Sequence, residues 1–286
     1  MPFTAAQYVA ALVATGQLQR NSAAVELGRL KGLPEQLTAD TLAVWANTLG
    51  RLAPATRRGY VGAARRYLRW LHVQHGTDTD LSAGLPKIRE PRAVPRALPA
   101  GDVAAVLAAC PEPSARYRRA DWLRPAVALM VGCGLRCVEV ANLDVADYNR
   151  AKSTVFVVGK GGHQRVLPVP PETAEVLGAY LGGRSSGPLL RAVGSKQAHS
   201  GRLSARWVSK RTARLMAQAG VHKAGDGRSA HALRHTAASD VLDRCHDLRI
   251  VQQMLGHQSL ATTERYLRVA DLDRMRRAME GRPYAG

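Results

Sequence analysis

Acidic residues are scarce in this chain of 286 residues, in which 22 Asp+Glu stand against 41 Lys+Arg for a formal net charge of +19. Hydrophobic residues at 46% and charged residues at 22% are ordinary for a folded protein, so the imbalance is not a mark of disorder. It points to a polyanionic partner, either nucleic acid or an anionic membrane surface. Long apolar runs are missing, and none approaches the ~18 to 20 residues needed to span a bilayer. No basic residue precedes the first apolar stretch in MPFTAAQYVAALVATGQLQR, so no signal peptide is expected. The expectation is a cytoplasmic protein without a membrane partner. Cys110, Cys133, Cys137 and Cys245 are too few for a disulfide scaffold and lack the C-x-x-C spacing of zinc modules. Cys133 and Cys137, four apart, leave a metal or redox site open on spacing, but free thiols packing as small apolar groups are the expected state. No G-x-x-x-x-G-K-[ST] loop and no cluster of carboxylates for two metals occurs, so neither a nucleotide nor a metal cofactor is expected.

One stretch marks a boundary. AGLPKIREPRAVPRALPAGD, residues 83–102, carries Pro86, Pro91, Pro95 and Pro99, a density that forbids a helix interior or a central strand. Lys87, Arg89, Arg92 and Arg96 lie between the prolines with only Glu90 opposing them, which makes the stretch an extended basic linker. The expected organisation is a helical domain over 1–83, the linker over 84–101 and a second domain over 102–286. Both lobes are basic, as a clamp around a duplex requires.

The first lobe reads as all helical. Segments 4–15 and 38–49 each open on a Thr suited to an N-cap, and 54–75 carries an apolar stripe of Tyr60, Ala64, Tyr67, Leu68 and Leu71. Beside that stripe run Arg58, Gly62, Arg65, Arg66 and Arg69. Either they approach a phosphate backbone or major groove, or they form a solvated basic face. The second lobe mixes helices with a short sheet. Residues 121–131 read as an apolar helix, and TVFVV (154–158) and VLPV (166–169) flank Gly159-Lys160-Gly161-Gly162 as a β-hairpin. The run VGKGG leads into a second strand and lacks Walker spacing, so it is not read as a nucleotide loop.

Polar functional groups are densest in SAHALRHTAASDVLDRCHDLRIVQQMLGHQSLATTERYL. His231 and Arg234 sit three apart on one helix, a pair suited to an anionic phosphate. Gly256 closes the run IVQQML as a C-cap and leaves His257 at the lip of the fold, and nine residues later comes Tyr266. The order H-x-L-R, L-G-H and then Tyr resembles the tyrosine recombinase family, the phage integrases and Xer-like recombinases. The family's upstream G-L-R-x-x-E box is matched by Gly134-Leu135-Arg136-Cys137-Val138-Glu139, and its Lys on a hairpin turn by Lys160.

The resemblance covers the whole chain and implies a mainly α fold with a small β-sheet. An N-terminal helical-bundle, SAM-like core-binding domain would precede an α+β catalytic domain. It implies that Tyr266 attacks a DNA phosphate and forms a 3′-phosphotyrosyl link, without metal or ATP. Arg136 and Arg234 would clamp the phosphate bidentately, His257 would donate to the same oxygens, and Lys160 would protonate the leaving 5′ oxygen. His231 would either accept the Tyr266 proton or hold the phosphate, a choice the residues leave open. Glu139 would orient an arginine or histidine; the alternative is an exposed ion pair with Arg136. The resemblance also implies nucleoid association and a homotetramer on two duplexes, with residues 271–281 forming a tail helix that docks on a neighbouring protomer; the alternative is that this helix packs against its own domain.

Many relatives continue Y-T-H after the nucleophile, whereas this chain has Tyr266-Leu267-Arg268. Helical core-like sequence begins near Thr4, so an arm-less type is expected, with any accessory proteins unknown. The basic charge and the departure after Tyr266 point to integration or excision of a phage or other mobile element. Xer-like dimer resolution, type IB topoisomerase-like relaxation and non-catalytic DNA-binding regulation are the alternatives.

Overall fold

The computed structural model describes residues 4–89, 97–111, 122–191, 201–222 and 230–256. The chain divides into two compact units, Met1–Ala93 and Val94–Gly286.

Four α-helices build the described part of the first unit: α1 (Ala5–Ala14), α2 (Arg20–Leu30), α3 (Ala39–Thr48) and α4 (Pro54–His75). Both expected threonine caps form. The Thr4 hydroxyl accepts from the Gln7 amide, whose side chain accepts in return from the Thr4 amide at 2.8 Å, and Thr38 and Thr41 repeat the pattern at α3. Such caps contribute about 1 kcal/mol each. Helix α4 starts with proline in its first turn and stops at Gly76, whose φ of 62° only glycine adopts without strain. Its inner face buries Val61, Ala64, Tyr67, Leu68 and Leu71 against Tyr8, Leu42 and Trp45. The Tyr8 ring sits 5.4 Å from those of Tyr67 and Trp70.

Helix α2 has no counterpart in the sequence reading. Its N-cap Gln19 makes no side-chain cap bond. What it buries includes an acid, Glu26, which is 5% exposed and held by Arg66 through three hydrogen bonds of 2.6 to 3.1 Å.

The second unit contains α5 (Ala100–Ala108), α6 (Leu123–Gly132) and α7 (Cys137–Asn142), then strands β1 (Tyr148–Asn149), β2 (Thr154–Val158) and β3 (Gln164–Pro168), then α8 (Pro171–Leu181), α9 (Ala205–Gln218), α10 (Ala230–Cys245) and α11 (Leu248–Leu255). Helix α6 is the core element, with Ala126, Val127, Leu129 and Met130 all sealed from solvent or nearly so. It packs so closely on α8 that a Cβ added at Gly132 would lie 2.3 Å from Thr173 Oγ1. The strands form one antiparallel sheet in the order β1-β2-β3, with β2 and β3 in register from Thr154↔Pro168 to Val158↔Gln164. The expected hairpin is therefore present, but its second strand begins at Gln164 and not Val166, and the two-residue β1 adds an edge with too short a sequence signature to anticipate. Gly161 and Gly162 take φ of 78° and 79° in the turn. The fold is mainly α with a small β-sheet, as the pattern of elements predicts. Among the described residues no helix is long and apolar enough to cross a membrane.

Candidate active site

The G-L-R-x-x-E box sits on a tight turn and the start of α7. After α6 ends at Gly132, Gly134 turns the chain with φ of 64°; a Cβ there would be strained and only 2.8 Å from Met254 Cε. Arg136 then caps α7, and the Glu139 carboxylate one turn later accepts the Arg136 backbone amide at 2.8 Å.

Glu139 is 1% exposed, which rules out the exposed ion pair and makes it the centre of an arginine cluster. Its Oε1 accepts from Arg136 Nη1 at 2.9 Å and from Arg165 Nη1 at 3.0 Å. Its Oε2 accepts from Arg165 Nη2 at 3.0 Å and lies 3.5 Å from Arg234 Nη1. Burial by itself would raise the carboxyl pKa. The Arg165 hydrogen bonds, the Arg136 amide and the positive charges of Arg165 and Arg234 outweigh it, so the group is held below the usual carboxylate range.

The same guanidiniums grip the end of α11. Arg136 Nη1 and Arg234 Nη2 donate to the Leu255 carbonyl at 3.3 and 2.6 Å, Arg165 Nε donates to the Met254 carbonyl at 2.9 Å, and Arg234 Nη1 donates to the Gly134 carbonyl at 2.6 Å. Cations at a helix C-terminus satisfy its orphan carbonyls and oppose the negative end of its dipole. Helix α11 stops there because Gly256 takes φ of 61°, the left-handed cap the sequence predicts.

The predicted residues therefore divide. Arg136, Glu139 and Arg234 converge on one locus. Arg136 is the more open of the two arginines, its side chain 27% exposed against 4% for Arg234, whose guanidinium is turned inward to the glycine and leucine carbonyls. His231, three residues earlier on α10, is exposed, so the pair does not present one flat face. Lys160 opens the turn between β2 and β3; only its backbone is described. His257, Tyr266 and the tail helix over 271–281 lie outside the described residues, as do Arg92 and Arg96.

In the first unit the arginine stripe on α4 is not uniform. Arg58 and Arg69 are exposed, but Arg65 donates to the Leu85 carbonyl at 2.9 Å and to the Ser82 and Pro86 carbonyls, while Arg66 pairs with Glu26. The stripe divides because 81–86 folds back on α4 and α2 supplies a buried acid. Lys87 and Arg89 are exposed.

Arg165 is the member of this arginine cluster that sequence reasoning missed. Its only local signal is a basic residue just after a glycine turn, whereas its partners Glu139 and Met254 are 26 and 89 residues away.

The phage integrase family model matches residues 96–272. The tyrosine recombinase XerC of Rhodospirillum centenum is 36% identical over 221 residues, covering 74% of this chain and 61% of that relative. The tyrosine recombinase XerD of Pseudomonas aeruginosa is 31% identical over 255 residues, covering 85% and 80%. In fold the chain is similar to a lambda integrase dimer bound to a COC′ core site, with a TM-score of 0.72, 19% identity and coverage of 98% and 96%. It is also similar to the XerH site-specific recombinase bound to palindromic difH substrate, with a TM-score of 0.70, 21% identity and coverage of 90% and 78%. The chain belongs to the phage integrase family of tyrosine recombinases.

Proposed function

We propose that this chain is a site-specific DNA recombinase that cuts and rejoins strands through a 3′-phosphotyrosyl intermediate on Tyr266. The observation that carries the reading is the convergence of Arg136 and Arg234 on Glu139 and on the α11 end that leads into His257. A buried carboxylate that fixes guanidiniums prepays the ordering of a phosphate clamp, which is how preorganised electrostatics lowers a phosphoryl-transfer barrier.

In the proposed cycle Tyr266 Oη attacks the scissile phosphorus, a P–O bond forms to tyrosine, and the bond to the 5′ oxygen breaks. Arg136 and Arg234 neutralise the non-bridging oxygens, with His257 donating to them. A tyrosine with pKa near ~10 is a weak nucleophile at neutral pH, so these cations and His231 must favour the phenolate as the bond forms. Lys160 gives its proton to the departing oxygen. The freed 5′ hydroxyl of a partner duplex then attacks the phosphotyrosine and reverses each transfer, so bond energy is conserved without ATP. Exposed Arg58, Arg69, Lys87 and Arg89, with Arg92 and Arg96, hold duplex DNA electrostatically, and residues 271–281 join four protomers on two duplexes.

Integration or excision of a mobile element is the setting we favour, on the basic charge and the Tyr266-Leu267-Arg268 departure. Xer-like dimer resolution is a second reading, favoured by the names of the XerC and XerD relatives. A nicked suicide duplex carrying the chain's own site tests the chemistry on a denaturing gel. A covalent adduct that Tyr266→Phe abolishes while still binding the duplex is the expected result. No adduct from the wild type would leave a DNA-binding regulator, and an adduct without exchange between two sites would leave a topoisomerase-like activity. Sequencing the occupied chromosomal sites separates the settings: sites at the ends of an element support the first, and a single locus that sorts sister chromosomes the second.

A further inference from the structure

We propose that Arg165 is a positioning residue of the recombination reaction, coupling the turn that carries Lys160 to the helix end that carries His257. This rests on the phosphotyrosyl reading above. Arg165 pairs with Val157 across the hairpin, one register step before the closing pair Val158↔Gln164. From that place each of its three guanidinium nitrogens donates outside the sheet, two to the Glu139 carboxylate at 3.0 Å and one to the Met254 carbonyl at 2.9 Å.

Two glycines close around it. A Cβ added at Gly159 would lie 3.4 Å from both Arg165 Nη1 and Glu139 Oε1, and one added at Gly256 would lie 3.1 Å from Arg165 Nη1. Each glycine immediately precedes a proposed catalytic residue, Lys160 in one case and His257 in the other. The guanidinium therefore fills the space beside the two backbone points that immediately precede those residues. Its other contact, Glu139, also holds Arg136, so a shift in Arg165 is transmitted to all three segments. A lysine cannot replace it, because one ammonium cannot span two carboxylate oxygens and a carbonyl in a planar fork.

The test uses the full chain with Arg165→Lys, and a suicide duplex whose core is recovered by selecting a random pool with the wild type. A second duplex of the same sequence carries sulfur in place of the scissile 5′ oxygen, which leaves as a thiolate and needs no proton. Arg165→Lys should bind both duplexes as the wild type does and lose about 10²-fold in the cleavage rate of the oxygen duplex, the scale of a misplaced general acid. On the sulfur duplex about tenfold of that loss should return, because the Lys160 proton is no longer needed. Arg165 lines a cavity of about 660 Å³, so guanidinium can reach the site it vacates. Arg165→Ala should accordingly regain cleavage in millimolar guanidinium chloride, a rescue that a mere loss of folding would not show. Equal losses on the two duplexes, or no loss in Arg165→Lys, overturn the coupling. No adduct from the wild type overturns the recombinase chemistry and Arg165's part in it, an outcome distinct from either.

Discussion

Replacing Glu139 by glutamine keeps the shape of the side chain and removes one charge from the middle of three guanidiniums. Each carboxylate oxygen now accepts two hydrogen bonds: Oε1 from Arg136 Nη1 and Arg165 Nη1, and Oε2 from the Arg136 amide and Arg165 Nη2. Whichever way the amide points, its NH₂ faces donors, so two bonds are lost. Arg165 and Arg234, with side chains 10% and 4% exposed, keep their charges without the compensating anion. Two charge-assisted hydrogen bonds at ~1.5 to 3 kcal/mol each give a loss of about 3 to 6 kcal/mol, and a broken buried ion pair gives ~3 to 5. For a unit of this size that is a fall in Tm of about 10 °C. Urea unfolding followed by Trp122, 1% exposed in the second unit, reports it in a chain with Trp45, Trp70 and Trp207 replaced by Phe. The pH dependence has a definite sign. The folded carboxyl titrates below its unfolded value of about 4.3, so its contribution is complete above that value and disappears as the pH falls through the lower, folded one. The gap between wild type and Glu139→Gln should be flat from pH 7 to about 5 and narrow progressively as the pH falls further. A loss under ~1 kcal/mol at pH 7, or a gap that does not narrow as the pH falls below about 4, would refute the reasoning.

Gly132→Ala drives a Cβ to 2.3 Å from Thr173 Oγ1 and should cost about 1 to 3 kcal/mol in urea unfolding. Adding Thr173→Ala should recover at least ~1 kcal/mol, and strict additivity of the two changes would show that the α6–α8 contact is not the cause. In duplex binding, Arg58→Gln or Arg69→Gln should each lower the slope of log K against log salt by about 0.9. Arg65→Gln, whose guanidinium is committed to the Ser82, Leu85 and Pro86 carbonyls, should instead cost stability with little change in slope; an equal change in slope would return it to the DNA face. Native labelling with iodoacetamide at pH 8 should modify exposed Cys245 well before Cys133, whose thiol burial pushes up to about 12. Early carboxymethylation of Cys133 in a mass spectrum would contradict its place in the core.

What the sequence announces and what it conceals differ in range. The caps at Thr4 and Thr38 and the hairpin around Gly159 to Gly162 each depend on neighbours within a few residues, so composition and spacing suffice to place them. Arg136 and Glu139 are legible only through the resemblance, by the G-L-R-x-x-E box that it matches to residues 134–139. The burial that gives Glu139 its role is not legible, because it is produced by Arg165 and Arg234 from 26 and 95 residues further along the chain. Helix α2 shows the same limit in the first unit. It opens without a side-chain cap, and part of what fixes it is Glu26 meeting Arg66 at a separation of 40 residues. An arginine stripe read from periodicity alone counts Arg66 and Arg65 as outward charge, yet one answers that buried acid and the other closes a chain reversal. Sequence order thus locates where guanidiniums enter the fold. Which of them are left to meet a phosphate is decided by buried carboxylates and orphan carbonyls that only tertiary contact brings into reach.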